Sequence, residues 1–298
     1  MLTGILLLDK PLGLSSNSAL QRVKRMLRAE KAGHVGSLDP LATGMLPICL
    51  GEATKIAGEI LSGRKRYAFT IALGSRTATG DVEGAVVETL RVPAFDRAAL
   101  DATLSRFLGK QPQIPPMYSA IKRDGQPLYK LARAGVEVER APRDIEIFEL
   151  TIIAFDAGTV QLETSCAKGT YIRTLAEDIA RALGTCGHVA LLRRMHVEPF
   201  ENEPMITLDA VSAFAEAGQL PPLLPADRGV PQLPEVRLTE AATARVMHGQ
   251  PAAVPAEIAP GRVRLYDGQG HFFGIGEADG FGSVQPRRLF VDSSLERP

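Results

Sequence analysis

The sequence predicts a mixed α/β chain whose larger N-terminal part combines strands and helices and whose C-terminal end is a small, mostly β module. Three observations carry this. Residues 65–73 (KRYAFTIAL) place Tyr67, Phe69, Ile71 and Leu73 on one face with the period of two that marks a half-buried strand. Ile172, Leu175, Ile179 and Leu183 have helical spacing and stop at Gly184. A Pro-rich stretch, 220–234, then separates the bulk of the chain from short Gly-punctuated segments.

The elements follow in order. The apolar run 5–8 is cut off by Asp9 and Lys10, too short for the apolar core of a signal peptide, and no later apolar stretch approaches the roughly 20 residues of a membrane span. Leu20, Val23 and Leu27 form the apolar stripe of a helix that Ser16 or Asn17 can cap; Arg22, Arg25 and Arg28 lie opposite, a pattern that by itself reads as a solvated face. After the 65–73 strand, TATGDVEG (77–84) is a turn leading to a second strand near 85–90, a hairpin-like excursion. Residues 96–108 read as a helix on Leu100, Leu104 and Phe107. The three prolines in 111–116 forbid its continuation, and RDGQ (123–126) turns the chain into a short helical pattern through Leu128, Tyr129 and Leu131. Residues 145–155 and 159–166 pair as strands, and a last strand runs from 189 to 197. A helix over 208–217 precedes the linker, beyond which come a strand (236–238), a helix (239–248) and short strands in 263–290.

The 298 residues carry 34 basic and 34 acidic side chains, so a nucleic-acid surface must come from uneven charge distribution. Residues 1–70 hold ten Lys/Arg against five acids, and 117–143 hold six against three. Cys49, Cys166 and Cys186 are far apart, with no CxxC or Cys/His cluster of zinc-ligand spacing, which points to a reduced, cytoplasmic chain without structural metal.

The most unusual stretch is GHVGSLDPLATGMLPICLG (33–51). Glycines surround Asp39 and Pro40 disfavours the α conformation there, so the carboxylate is presented from a rigid irregular loop that runs into an apolar strand. On spacing alone, a turn Asp bonding nearby backbone N–H groups is the favoured reading. The stretch has neither the GxxxxGKS order nor a GxGxxG after a strand, so it is not a phosphate loop. In KGTYIRTLAED (168–178), Gly169 and Thr170 open a helix and put Arg173 in its first turn, away from the apolar stripe and able to reach a neighbouring loop; an exposed Arg on a surface helix explains the pattern equally well.

These two stretches occur together with LLLDKPLGLSS, KRYAFTIALGSRTATGDVEG, PPMYSAIKRDGQPLYKLARAG and LLRRMHVEPF, and the set closely resembles the bacterial tRNA pseudouridine-55 synthases of the TruB family over essentially the whole chain. The resemblance implies a mixed, largely antiparallel-sheet catalytic domain over 1–230, with a mobile RNA-binding insertion near 115–143, and a β-rich PUA-like RNA-binding domain over 235–298. It implies isomerisation of the T-loop uridine of tRNA without cofactor or metal. Asp39 would be the nucleophile and Arg173 its ion-pair partner, depressing its pKa. Tyr67 would stack on the extruded base, His34 would fill the space that base vacates, and Tyr171 and Leu192 would line the uridine pocket. Lys10 and Pro11 match a KP motif read as support for the active-site loop. The implied partner is tRNA through its T stem-loop, with no membrane, no obligatory protein partner and a monomeric enzyme. A non-catalytic tRNA-binding or RNA-folding protein would keep the basic surfaces but need no nucleophile; Asp39, Tyr67 and Arg173 together favour the enzyme, and assistance to tRNA folding can coexist with it. A glycosidase is disfavoured because no second acid has an evident partnered position.

Overall fold

The structure, a computed structural model, describes residues 1–123 and 125–290. Asp124, within the expected RDGQ turn, and 291–298, at the end of the expected C-terminal module, lie outside the described residues. The apolar run at the N-terminus becomes strand β1 (Gly4–Lys10), buried except at Asp9 because its two faces meet two cores, Leu6 and Leu8 in one and Ile5 and Leu7 in the other. Helix α1 (Ser16–Met26) follows, with Leu20 and Val23 on the core. Its cap is Ser15, which accepts from the Ser18 N–H, and not Ser16 or Asn17. Ser16 is buried one residue further on and its hydroxyl is taken by Leu38.

Strands β2 (Ala32–His34) and β3 (Ala42–Leu50) bracket the Asp39 loop, and the short helix α2 (Ala57–Leu61) leads into β4 (Lys65–Leu73). The TATGDVEG excursion is the hairpin β5 (Ser75–Thr77) and β6 (Val86–Thr89). Asp96 caps α3 (Arg97–Ser105) through the Ala99 N–H. Strand β7 (Gly109–Gln113) tolerates Pro112 because it is the last strand of its sheet, where a missing N–H breaks no central ladder. The insertion holds β8 (Lys122–Arg123), β9 (Gln126–Pro127) and α4 (Leu128–Arg133). Long strands β10 (Arg143–Phe155) and β11 (Thr159–Cys166) pair antiparallel as expected, followed by α5 (Ile172–Ala182), β12 (Gly187–Val197), β13 (Ile206–Thr207) and α6 (Leu208–Glu216). The C-terminal part is β14 (Glu235–Arg237), α7 (Glu240–Met247), β15 (Ala252–Ala253), β16 (Gly261–Tyr266), β17 (Phe272–Ala278) and β18 (Ser283–Leu289).

Two main sheets result. The larger has the order β13-β1-β3-β12-β4-β11-β10-β7, with β2 added on β3, and is antiparallel except where β13 meets β1 and β12 meets β3. The smaller has the order β14-β16-β17-β18-β15 and its own core around Val236, Val246, Leu265 and Val284. The fold class is therefore as the sequence predicts. The 220–234 stretch is not a free linker: Leu224 exchanges both backbone hydrogen bonds with Ile5 at 2.9 Å, and Ala226 and Val230 are buried in the core that holds Ile5, Met45 and Ile275. Its prolines prevent a regular ladder, but the apolar residues between them still gain by burial. Among the described residues no helix is long and apolar enough to cross a membrane, and the three cysteines are free and buried.

The parallel junction of β3 and β12 is the tightest contact near the future site. Gly44 pairs with Arg194 at φ 96°, and a Cβ there would stand 2.2 Å from the Arg194 carbonyl oxygen. Gly44→Ala is expected to destabilise the fold by about 3 kcal/mol or more, from backbone strain and collision combined. A urea midpoint equal to that of the wild type would contradict this close approach.

Candidate active site

The Asp39 loop is held from three sides before its carboxylate does anything. Gly36, at φ 71°, lets the chain turn against the Arg194 guanidinium. Ser16 clamps the next residues: its Oγ accepts from the Leu38 N–H at 2.6 Å and donates to the Leu38 carbonyl at 3.0 Å. On the far side the Gly13 N–H donates to the Pro40 carbonyl at 2.8 Å. Lys10, fully buried, sends Nζ to the carbonyls of Leu14 at 2.6 Å, Pro11 at 2.9 Å and Pro40 at 3.4 Å. Burial pulls that ammonium down to about 8, against the attraction of Asp39. Pro11 itself is exposed.

Arg173 comes from the first turn of α5, opposite Ile172, Leu175 and Ile179, and is buried instead of lying on the surface. Its Nε meets Asp39 Oδ2 at 2.9 Å, Nη1 donates to the Thr79 carbonyl and Nη2 to the Tyr118 carbonyl, both at 2.7 Å. A second carboxylate, Asp81, lies 3.8 Å from Nε and is itself buried, accepting from Thr79 Oγ1 at 2.5 Å and the Glu83 N–H at 3.1 Å. Arg173 does depress the Asp39 pKa as expected, but it does not set the net direction. Burial pushes the Asp39 carboxyl above its ordinary value; Arg173 opposes that push, while the like charge of Asp81 adds to it.

The walls of the cleft, about 640 Å³, are formed by Tyr67, Leu192 and Arg194 from the central strands, Tyr171 and Ile172 at the start of α5, and Tyr118, Ser119 and Ile121 from the insertion. Asp39 lies on this lining with 42% of its side chain exposed, so it can meet a ligand. Burial raises the pKa of the Tyr67 phenol, against Arg194, and of the Tyr171 phenol, against Arg143 and Arg173, so both are neutral at pH 7. The structure thus brings Asp39, Arg173, Tyr67, Tyr171 and Leu192 together. It leaves Lys10 and Pro11 beneath and beside the loop, and His34 outside the lining, on β2, where burial and then Arg194 lower the imidazole pKa.

Sequence reading missed Asp81, taken as a turn former, and Arg194, read only as part of a strand. Lys65, whose Nζ donates to the Leu61 and Gly63 carbonyls at 2.5 Å and is pulled down to about 8 by burial, was missed too. One signal existed for Arg194: it shares a strand face with Leu192, so a charge faces inward.

A loop Asp, a buried helix Arg and an aromatic strand residue around one cleft can be compared with known proteins. Residues 24–172 match a model described as the N-terminal domain of TruB family pseudouridylate synthase, 173–230 match the tRNA pseudouridylate synthase B C-terminal domain, and 234–290 match the C-terminal model of pseudouridine synthase II TruB. The chain belongs to the TruB family. A tRNA pseudouridine synthase B of Pseudomonas fluorescens is 49% identical over 96% of this chain and 95% of its own length, and one of Yersinia pestis is 46% identical over 98% and 93%. Among solved structures, this TruB family chain resembles one in a Cbf5-Nop10-Gar1 complex, with a TM-score of 0.74 and 26% identity over 98% of this chain and 86% of that one. It shares its fold with an H/ACA RNP bound to a substrate RNA containing 2'-deoxyuridine, at a TM-score of 0.73 and 24% identity, covering 97% and 85%.

The Ser16 clamp is the local constraint most open to test. Ser16→Ala leaves a buried N–H and a buried carbonyl of Leu38 unpaired and is expected to cost about 1–3 kcal/mol, read as a shift in denaturant midpoint. A change below a few tenths would show that the loop does not depend on it.

Proposed function

We propose that this protein isomerises a uridine of tRNA to pseudouridine, that the target is the T-loop uridine, and that Asp39 is the nucleophile. The observation that carries the reading is the Asp39 carboxylate, open to the cleft on a loop fixed by backbone and side-chain bonds, with the buried Arg173 guanidinium 2.9 Å away. The reaction breaks the N-glycosidic bond, turns the uracil and joins C5 to the anomeric carbon, with no net redox change. An ionised carboxylate at the ribose serves either addition at the anomeric carbon or removal of a ribose proton. No step of that chemistry calls for a metal or cofactor.

A T-loop uridine is stacked and must be extruded, at a cost of a few kcal/mol. In this reading Tyr67 replaces the lost stack, contributing roughly 1 to 3 kcal/mol, Leu192 and Tyr171 bound the pocket, and Lys10 keeps the Asp39 loop in place. His34, half-buried behind the loop, fills the space left in the RNA. The basic N-terminal segment and the 117–143 insertion contact phosphates. The catalytic domain takes 1–230 and the smaller sheet, within 235–298, is an RNA-binding module of PUA-like type.

Asp39→Asn is expected to abolish turnover on an unmodified tRNA transcript while tRNA binding stays within about tenfold, roughly 1.4 kcal/mol. Pseudouridine mapped at single-nucleotide resolution decides the reading: product outside the T-loop overturns the target, and turnover by pure Asp39→Asn protein overturns the nucleophile.

Arg173→Met separates electrostatics from RNA binding. Because burial holds the Asp39 pKa above its ordinary value, the rate falls as pH drops through that pKa, and loss of the opposing guanidinium moves this acid limb to higher pH. Single-turnover rates should therefore drop most on the acid side while the salt dependence of tRNA binding is unchanged. A normal rate with a salt slope reduced by about one would make Arg173 a phosphate contact instead.

A further inference from the structure

We propose that Arg194 is a positioning residue for this reaction, turning the Tyr67 hydroxyl hydrogen into the cleft and holding the phenol oxygen in a cationic field. The inference rests on the reading of Tyr67 as an active-site residue and adds a residue that acts through it.

Arg194 on β12 is the direct antiparallel partner of Tyr67 on β4, and both side chains line the cleft. The guanidinium is fixed elsewhere at three carbonyls: Nε donates to Met45 at 2.7 Å, and Nη2 to Gly36 at 2.9 Å and Val35 at 3.5 Å. The first lies on β3 and the other two at the start of the Asp39 loop. Arg194 is 1% exposed, and among the described residues no carboxylate comes within 4.0 Å of it. A buried cation held only by neutral oxygens keeps an uncompensated positive charge, which acts on the groups beside it in the cleft wall.

A guanidinium has five N–H donors and no acceptor. Toward Arg194, its cross-strand partner, the phenol oxygen of Tyr67 can only accept, and among the described residues the Tyr67 hydroxyl donates no hydrogen bond to a side chain or carbonyl. That hydrogen is left to the cleft, where a nucleobase carbonyl or a ribose hydroxyl can accept it. Any negative charge that develops on the phenol oxygen during the reaction is stabilised by the same guanidinium.

Two measurements test this on the full-length protein with a tRNA transcript. In a cycle of Arg194→Lys, Tyr67→Phe and the double variant, Arg194→Lys should slow single turnover about tenfold when Tyr67 is present and less than twofold when it is Phe. Equal slowing in both backgrounds, or none in either, overturns the proposal. In parallel, 3-fluorotyrosine placed at position 67 reports phenol ionisation by ¹⁹F NMR. Arg194→Gln should raise its titration midpoint by about one unit, whereas a purely structural Arg194 leaves it unmoved. A fluorophenol that titrates at the same pH in both proteins, or in neither, counts against the assignment. Should the wild type form no pseudouridine, the functional reading fails instead; an active wild type with no coupling fails only the role of Arg194.

Discussion

The Arg173 guanidinium gathers four segments that are distant in sequence: the Asp39 loop, the β5–β6 turn at Thr79 and Asp81, the insertion at Tyr118, and the first turn of α5. Its planar fork can face two carbonyls and a carboxylate at once, which a single ammonium on a flexible stem does less well. Because the group is buried, each partner it lost would leave a desolvated charge or carbonyl, so the four segments are held as a set and not pairwise. The position of Asp39 in the cleft follows from that convergence.

The neighbourhood uses one device repeatedly. Lys10, Lys65 and Arg194 are all buried, and each is held by backbone carbonyls, most of them in loops or at element ends: Pro11, Leu14 and Pro40; Leu61 and Gly63; Gly36 and, within β3, Met45. Loops that cannot satisfy their carbonyls in a ladder find donors in these side chains, and the cations find partial compensation for lost water. Rigidity of irregular backbone is thereby obtained together with a positive field around the cleft, which low-dielectric walls focus on an anionic chain such as RNA.

Support for the loop extends into the smaller sheet. Ile275 is buried in the same core as Val35 and Met45, with Phe272 and Phe290 packed against it. Lys55 Nζ donates to the Leu289 carbonyl at 2.7 Å, and the Tyr266 hydroxyl donates to Asp227 at 2.8 Å in the Pro-rich strap. Apolar burial and polar contacts at its edge both act here, so the strands behind the Asp39 loop are packed on both sides of the larger sheet.

Periodic elements were legible in the chain because their signals are local. The alternation in 65–73 and the stripe from Ile172 to Leu183 depend only on which face is buried, and strand β4 has the bounds its pattern predicts. Asp39 was legible as an unusual loop carboxylate, and its role came from the match of whole motifs to the TruB family, not from spacing. Tertiary structure decided the rest. That Ser15 caps while Ser16 clamps Leu38, that 220–234 is a packed strap, and that Arg173 is buried all depend on segments far away in the chain. The direction of the Asp39 pKa shift was misjudged for the same reason: sequence pairs it with one Arg, whereas its ionisation is set by burial, by that Arg and by Asp81 together, a sum over neighbours that exists only once the chain has folded.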